Sequence, residues 1–100
     1  MLTRETIINR LRETYPHLIA EYSVKRIGLF GSFARGTANE TSDIDVVVEF
    51  QRPVGFKFIE LVEYLEQMFG RKVDVLTPVG LQGIRVGGVA RNIIEGVVYV

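Results

Sequence analysis

The chain has 100 residues, 47% apolar and 24% charged, which suits one soluble globular domain with a single core. Twelve basic residues balance twelve acidic ones and there is no cysteine; free nucleic acid is therefore not the expected partner, and disulfides, thiolate catalysis and zinc–thiolate sites are excluded. Met1 to Asn9 carries Arg4 and Glu5 without the apolar core of a signal peptide, and no apolar run is long enough for a membrane span, so a cytoplasmic location is expected.

In chain order, Ile7, Ile8, Leu11 and Tyr15 recur at helical spacing behind Thr3 as N-cap, with Glu5 in the first turn. Pro16 is expected to end or bend this helix, because proline lacks the amide hydrogen and crowds the preceding turn. Leu18 to Tyr22 then forms a short second piece leading to Val24. Val24 to Phe30 reads as a strand, with Gly28 a weak point or a place of close backbone approach.

Ser32 to Arg35 has the length of one helical turn, and Gly36 to Ser42 reads as a loop. Asp43 to Phe50 is a valine-rich strand, apolar on both faces beyond Asp45 and therefore central. Arg52, Pro53 and Gly55 make a turn. Phe58, Leu61, Val62, Leu65, Met68 and Phe69 then form an apolar helical stripe that Gly70 terminates. Lys72 to Leu76 is a short strand. Gly83, Gly87 and Gly88 each cost a helix about 0.8–1 kcal/mol, so a further helix is expected only over Val89 to Glu95, followed by a last strand, Val97 to Val100.

Chemistry concentrates between Gly31 and Asp45, which reads G-S-F-A-R-G-T-A-N-E-T-S-D-I-D. Gly31 and Gly36 imitate the start of a Walker A loop, but Thr37 and Ala38 stand where its lysine and hydroxyl residue belong. The carboxylates are more informative. In a strand Asp43 and Asp45 share one face while Ile44 points into packing, and Asp74 likewise opposes Val73 and Val75. Clustered carboxylates repel unless a cation joins them, and a hard divalent cation such as Mg2+ takes oxygen ligands. Three carboxylates can hold two such ions roughly 3.5–4 Å apart, suited to in-line attack on phosphorus. Backbone amides at Gly31 and Ser32, with the serine hydroxyl, would then hold phosphates. Arg35 either contacts a phosphate as well or is an ordinary exposed loop arginine.

Gly31-Ser32, ten intervening residues, then Asp43-Ile44-Asp45, with Asp74 in the strand after the next helix, resembles the signature of the minimal nucleotidyltransferases of the DNA polymerase β superfamily. The similarity runs over nearly the whole chain. It implies an α/β (α+β) fold, a small mixed sheet with flanking helices. By the same resemblance, Asp43, Asp45 and Asp74 bind Mg2+, Gly31 and Ser32 bind the nucleotide, and ATP is the substrate. Several family members are antitoxins that transfer AMP to a tyrosine of a partner toxin of the HEPN ribonuclease type.

The expectation is thus a Mg2+-dependent nucleotidyltransferase acting on a hydroxyl presented by a partner protein, with Asp74 helping to deprotonate it. The alternative is a binding module that neutralises its partner by occlusion. Lys25-Arg26 and Arg71-Lys72 read most simply as pairs flanking strands.

Overall fold

The structure is a computed structural model in which residues 2–78 and 96–100 are described. Helix α1 spans Arg4–Tyr22, strand β1 Val24–Phe30, helix α2 Gly31–Arg35, strand β2 Ile44–Phe50, helix α3 Lys57–Phe69, strand β3 Val73–Leu76 and strand β4 Val98–Tyr99. The strands form one mixed sheet in the order β3-β2-β1-β4. β2 runs parallel to β3 and antiparallel to β1, which pairs antiparallel with β4 on its other side. The expected mixed α/β architecture and the interior position of β2 are both present. The helix expected over Val89 to Glu95 lies outside the described residues; the last strand is Val98–Tyr99, and beyond it the Val100 amide donates to the Ile27 carbonyl at 3.1 Å.

Alternation sorts the strands into two faces. Ile27 and Leu29 of β1, Ile44, Val46 and Val48 of β2 and Val73 of β3 pack with α1, α2 and α3 in the main core. A register shift between Val24 and Arg26 lets Val24 join that core as well. The other face carries a smaller apolar cluster of Phe30 and Val47 with Leu76 and Val97 packed against it. Asp45 and Asp74 share the parity of Val47 and Leu76, so they lie on the sheet face that carries this cluster, opposite the main core.

Pro16 does not end α1, contrary to expectation: the helix runs unbroken from Arg4 to Tyr22. An interior proline costs about 3 kcal/mol. Beyond it, however, Leu18 and Tyr22 are buried, and burying one such side chain returns roughly 1.5–3 kcal/mol. The Tyr15 hydroxyl also donates to the Lys25 carbonyl, tying α1 to β1. Tertiary packing outweighs the local penalty. Thr3 caps the start as expected, its hydroxyl accepting from the Thr6 amide at 3.2 Å. Leu61, Leu65 and Phe69 are the buried line of α3, and Gly70 closes that helix in the left-handed conformation. His17 and Tyr64 pack with Tyr22 in an aromatic group joining α1 to α3.

Gly28 is a place of close approach. A Cβ there would stand 2.5 Å from Val97 Cγ1 and 2.9 Å from the Tyr99 ring, so only glycine lets the C-terminal segment lie against β1.

Candidate active site

The site forms where β1 hands over to α2. Phe30, the last residue of β1, pairs with Asp45 across the ladder. Gly31 then turns the chain with φ of +73°, a conformation that glycine adopts without steric cost. Phe33 and Ala34 bury one side of α2, while Gly31, against Asp45, and the next residue, Ser32, are half-buried. Gly36 ends the helix, again with positive φ, and Thr37 donates its amide to the Ser32 carbonyl at 2.9 Å. The single helical turn expected after the glycine is therefore present.

The carboxylates meet across two parallel strands. Asp45 and Asp74 are direct partners in the β2–β3 register. Asp43 stands one residue before the first pair of that ladder, Ile44 with Val73, and the Ile44 amide donates to the Lys72 carbonyl at 3.1 Å. Burial holds the Asp45 carboxyl above its ordinary value of 3.8, and the neighbouring charges of Asp74 and then Asp43 raise it further. A hydrogen bond with Asp74 acts in the same direction, while Arg35 opposes it. Arg35 is exposed at the end of α2, near enough for its charge to reach Asp45. The structure thus brings Asp74 and Asp43 within charge range of Asp45 and sets Gly31 against it, with Ser32 next in the chain and Arg35 at the margin.

Two residues outside the expected set contribute. Arg71 donates from Nη1 to the Ser42 carbonyl at 2.8 Å and to the Asn39 carbonyl at 3.5 Å, while its guanidinium lies 5.3 Å from the Phe33 ring centre. It fastens the loop that delivers Asp43 to α2 and to the start of β3. Within the loop, Asn39 Oδ1 accepts from the Thr41 amide and hydroxyl at 2.9 and 2.8 Å, an Asx turn. Lys72 places Nζ 3.9 Å from Asp43 Oδ2 and 3.8 Å from Asp74 Oδ1. Its two-residue offset from Asp74, which in a strand means the same face, was the available sequence signal. Arg71 offered none, because its partners are about thirty positions away in sequence.

Among the described residues, no three acidic, histidine or cysteine side chains stand together as a ready metal cage. The donor chemistry still suits a hard cation: carboxylate oxygens, with the Asp45 carboxyl raised above its ordinary value by burial and then by its acidic neighbours. Asp43 and Asp74 each also form an ion pair with Lys72.

The model of the nucleotidyltransferase domain family matches residues 4–100 of the chain. Protein adenylyltransferase MntA of Thermococcus cleftensis is similar at 42% identity over 101 residues, spanning all of this chain and 98% of that protein. A Methanocaldococcus jannaschii protein, provisionally named as a protein adenylyltransferase, is 42% identical over 103 residues with both chains fully covered. Among solved structures, one described as a minimal nucleotidyltransferase superposes with a TM-score of 0.73 at 28% identity, over 97% of this chain and 95% of that one. A toxin–antitoxin complex with AMP-PNP shares the fold at a TM-score of 0.61 and 24% identity, over 98% of this chain and 72% of that one.

Proposed function

The chain belongs to the nucleotidyltransferase domain family, and from that premise we propose that it is an adenylyltransferase moving AMP from ATP, with Mg2+, to a hydroxyl of a partner protein. The acceptor is a tyrosine of a HEPN-type toxin, and the chain acts in the cytoplasm as the antitoxin. The observation that carries this reading is the direct pairing of Asp45 with Asp74, with Asp43 alongside and the start of α2 abutting Asp45. The adenylyl specificity is supported by the names of the relatives that span the whole chain.

Asp43, Asp45 and Asp74 would hold the Mg2+. When bound, Mg2+ neutralises charge on the phosphates and acidifies the acceptor hydroxyl. The backbone amides at the start of α2, Gly31 and Ser32, face incoming phosphate oxygens, and the Ser32 hydroxyl adds a further donor. The bare Cα of Gly31 keeps the chain close to Asp45. Asp74 accepts the proton of the acceptor hydroxyl. The acceptor oxygen then bonds to the α-phosphorus as the bond to the β-phosphate oxygen breaks, releasing pyrophosphate. Arg35, at the end of α2, offers positive charge to the triphosphate.

The test is incubation of the chain with Mg2+, a HEPN-type protein encoded beside it, and ATP labelled at the α- or the γ-phosphate. Label retained on the partner's tyrosine from the α-position alone is the expected result. Label from the γ-position would mean phosphoryl transfer. No label, with the toxin still neutralised, would mean occlusion.

A further inference from the structure

We propose that Lys72 is the resident cation of the metal-free acidic site, and that it gives up its place to the metal on loading. This rests on the metal-binding reading of Asp43, Asp45 and Asp74. Continuing the β2–β3 register one step back from Ile44 and Val73 brings Lys72 beside Asp43, just as Asp74 stands beside Asp45. The bond from the Ile44 amide to the Lys72 carbonyl fixes that backbone position. Strand alternation then turns the Lys72 side chain to the face that carries Asp74. Its ammonium lies between the two carboxylates, 3.9 Å from Asp43 Oδ2 and 3.8 Å from Asp74 Oδ1.

Three carboxylates and one ammonium leave the local charge at minus two. A divalent cation offsets two of the three carboxylate charges where Lys72 offsets one, and it needs the oxygen atoms that Lys72 engages. An ammonium and a metal ion within a few ångströms of each other repel, so loading is an exchange in which the flexible lysine stem swings aside. The stem is free to do so, because the Lys72 side chain is 66% exposed. Lysine suits this role better than a preformed cage would: it limits carboxylate repulsion without the bidentate grip that would make it hard to displace.

The test uses the full chain without nucleotide, and Mn2+ alone as the probe. Lys72→Met should bind Mn2+ roughly three- to tenfold more tightly than wild type, because a competing cation has been removed. In EDTA the same variant should melt about 2–5 °C lower, and that deficit should vanish or reverse in saturating Mn2+. Lys72→Arg, which keeps the charge and can grip carboxylates bidentately, should keep wild-type stability in EDTA and bind Mn2+ no more tightly than wild type. Equal or weaker Mn2+ binding by Lys72→Met, or a melting deficit unchanged by metal, would overturn the proposal. So would Lys72→Arg behaving as Lys72→Met does. Failure of the wild-type chain to bind Mn2+ at all would overturn the metal reading itself.

Discussion

Gly31 has no room for a side chain because Asp45 occupies it: a Cβ built on Gly31 would overlap Asp45 Oδ2 and stand 3.0 Å from Asp45 Cγ. The glycine of the Gly-Ser pair and the second aspartate of the Asp-x-Asp pair are therefore two halves of one contact. Their spacing in the sequence is the length of chain needed to leave β1, form α2 and return along β2.

Gly31→Ala should accordingly damage the site more than the fold. The positive φ of 73° and the clash with Asp45 together should cost roughly 1–3 kcal/mol. Asp45 or the start of α2 must shift to relieve it. Denaturant unfolding should show the modest stability loss, while AMP transfer should fall by roughly a hundredfold, because small misplacements of reacting groups are costly. Gly36→Ala is the control. It also has positive φ, but no atom lies within 4 Å of the added Cβ, so it should cost stability without a comparable loss of rate. Equal rate losses in the two variants would refute the Gly31–Asp45 argument.

Arg71→Met should loosen the loop before Asp43. It removes the 2.8 Å bond to the Ser42 carbonyl and the stacking on Phe33, together worth about 1–3 kcal/mol. Amide hydrogen exchange over residues 37–43 should accelerate, and affinity for Mg2+-ATP should fall. Arg71→Lys should rescue only in part, since an ammonium cannot reproduce the planar fork. Unchanged exchange in that loop would remove Arg71 from the positioning scheme.

Local pattern made much of this legible. Period-two alternation placed Asp45 and Asp74 correctly, because Ile44, Val46 and Val73 are the buried neighbours that fix each strand's facing. Gly70 and Thr3 marked helix ends through chemistry confined to a single turn. What escaped reading was long-range. Pro16 misled because Leu18 and Tyr22 recover its cost through tertiary burial, which no local window contains. Arg71 and Lys72 looked like strand flanks because their partners, Ser42 and Asp43, are brought to them only by the parallel register of β2 and β3.

The metal-free chain should lose stability through Asp45 as pH rises above 3.8. Its folded pKa is raised by burial and by Asp74 and Asp43, so between 3.8 and that higher value the folded state binds more protons than the unfolded one. Stability then falls with rising pH across this window, and the penalty stays constant above it. Glu21 works in the opposite sense: its pKa is lowered through its hydrogen bond with Lys57, and its contribution is lost as pH falls. The informative quantity is therefore the difference between wild type and Asp45→Asn, melted in EDTA from pH 3.5 upward by about half-unit steps. The variant should gain on wild type as pH rises through the window, then hold its lead. Parallel curves would mean that the raised pKa does not exist.

Asp45→Asn and Asp74→Asn should separate the two partners of the central pair. Each substitution removes one negative charge at nearly constant volume, so the fold should survive, and relief of repulsion should favour the metal-free state. Both should lower AMP transfer by roughly a hundredfold or more, since the lost charge serves the transition state. Their effects on binding should differ. Asp45 is the more enclosed carboxylate, lying against Gly31 and between the charges of Asp43 and Asp74, which suits a ligand to every metal ion in the site. Its loss should weaken Mg2+-ATP affinity together with rate. Asp74 lies on the edge strand β3 and already shares Lys72, which suits a group that meets the acceptor. Its loss should reduce rate while leaving the affinity for Mg2+-ATP nearly intact. Calorimetry and single-turnover transfer on the purified variants measure the two quantities independently. Wild-type transfer by either variant would remove that aspartate from catalysis, whereas equal loss of nucleotide affinity in both would leave the carboxylates catalytic and refute only the division of labour between them.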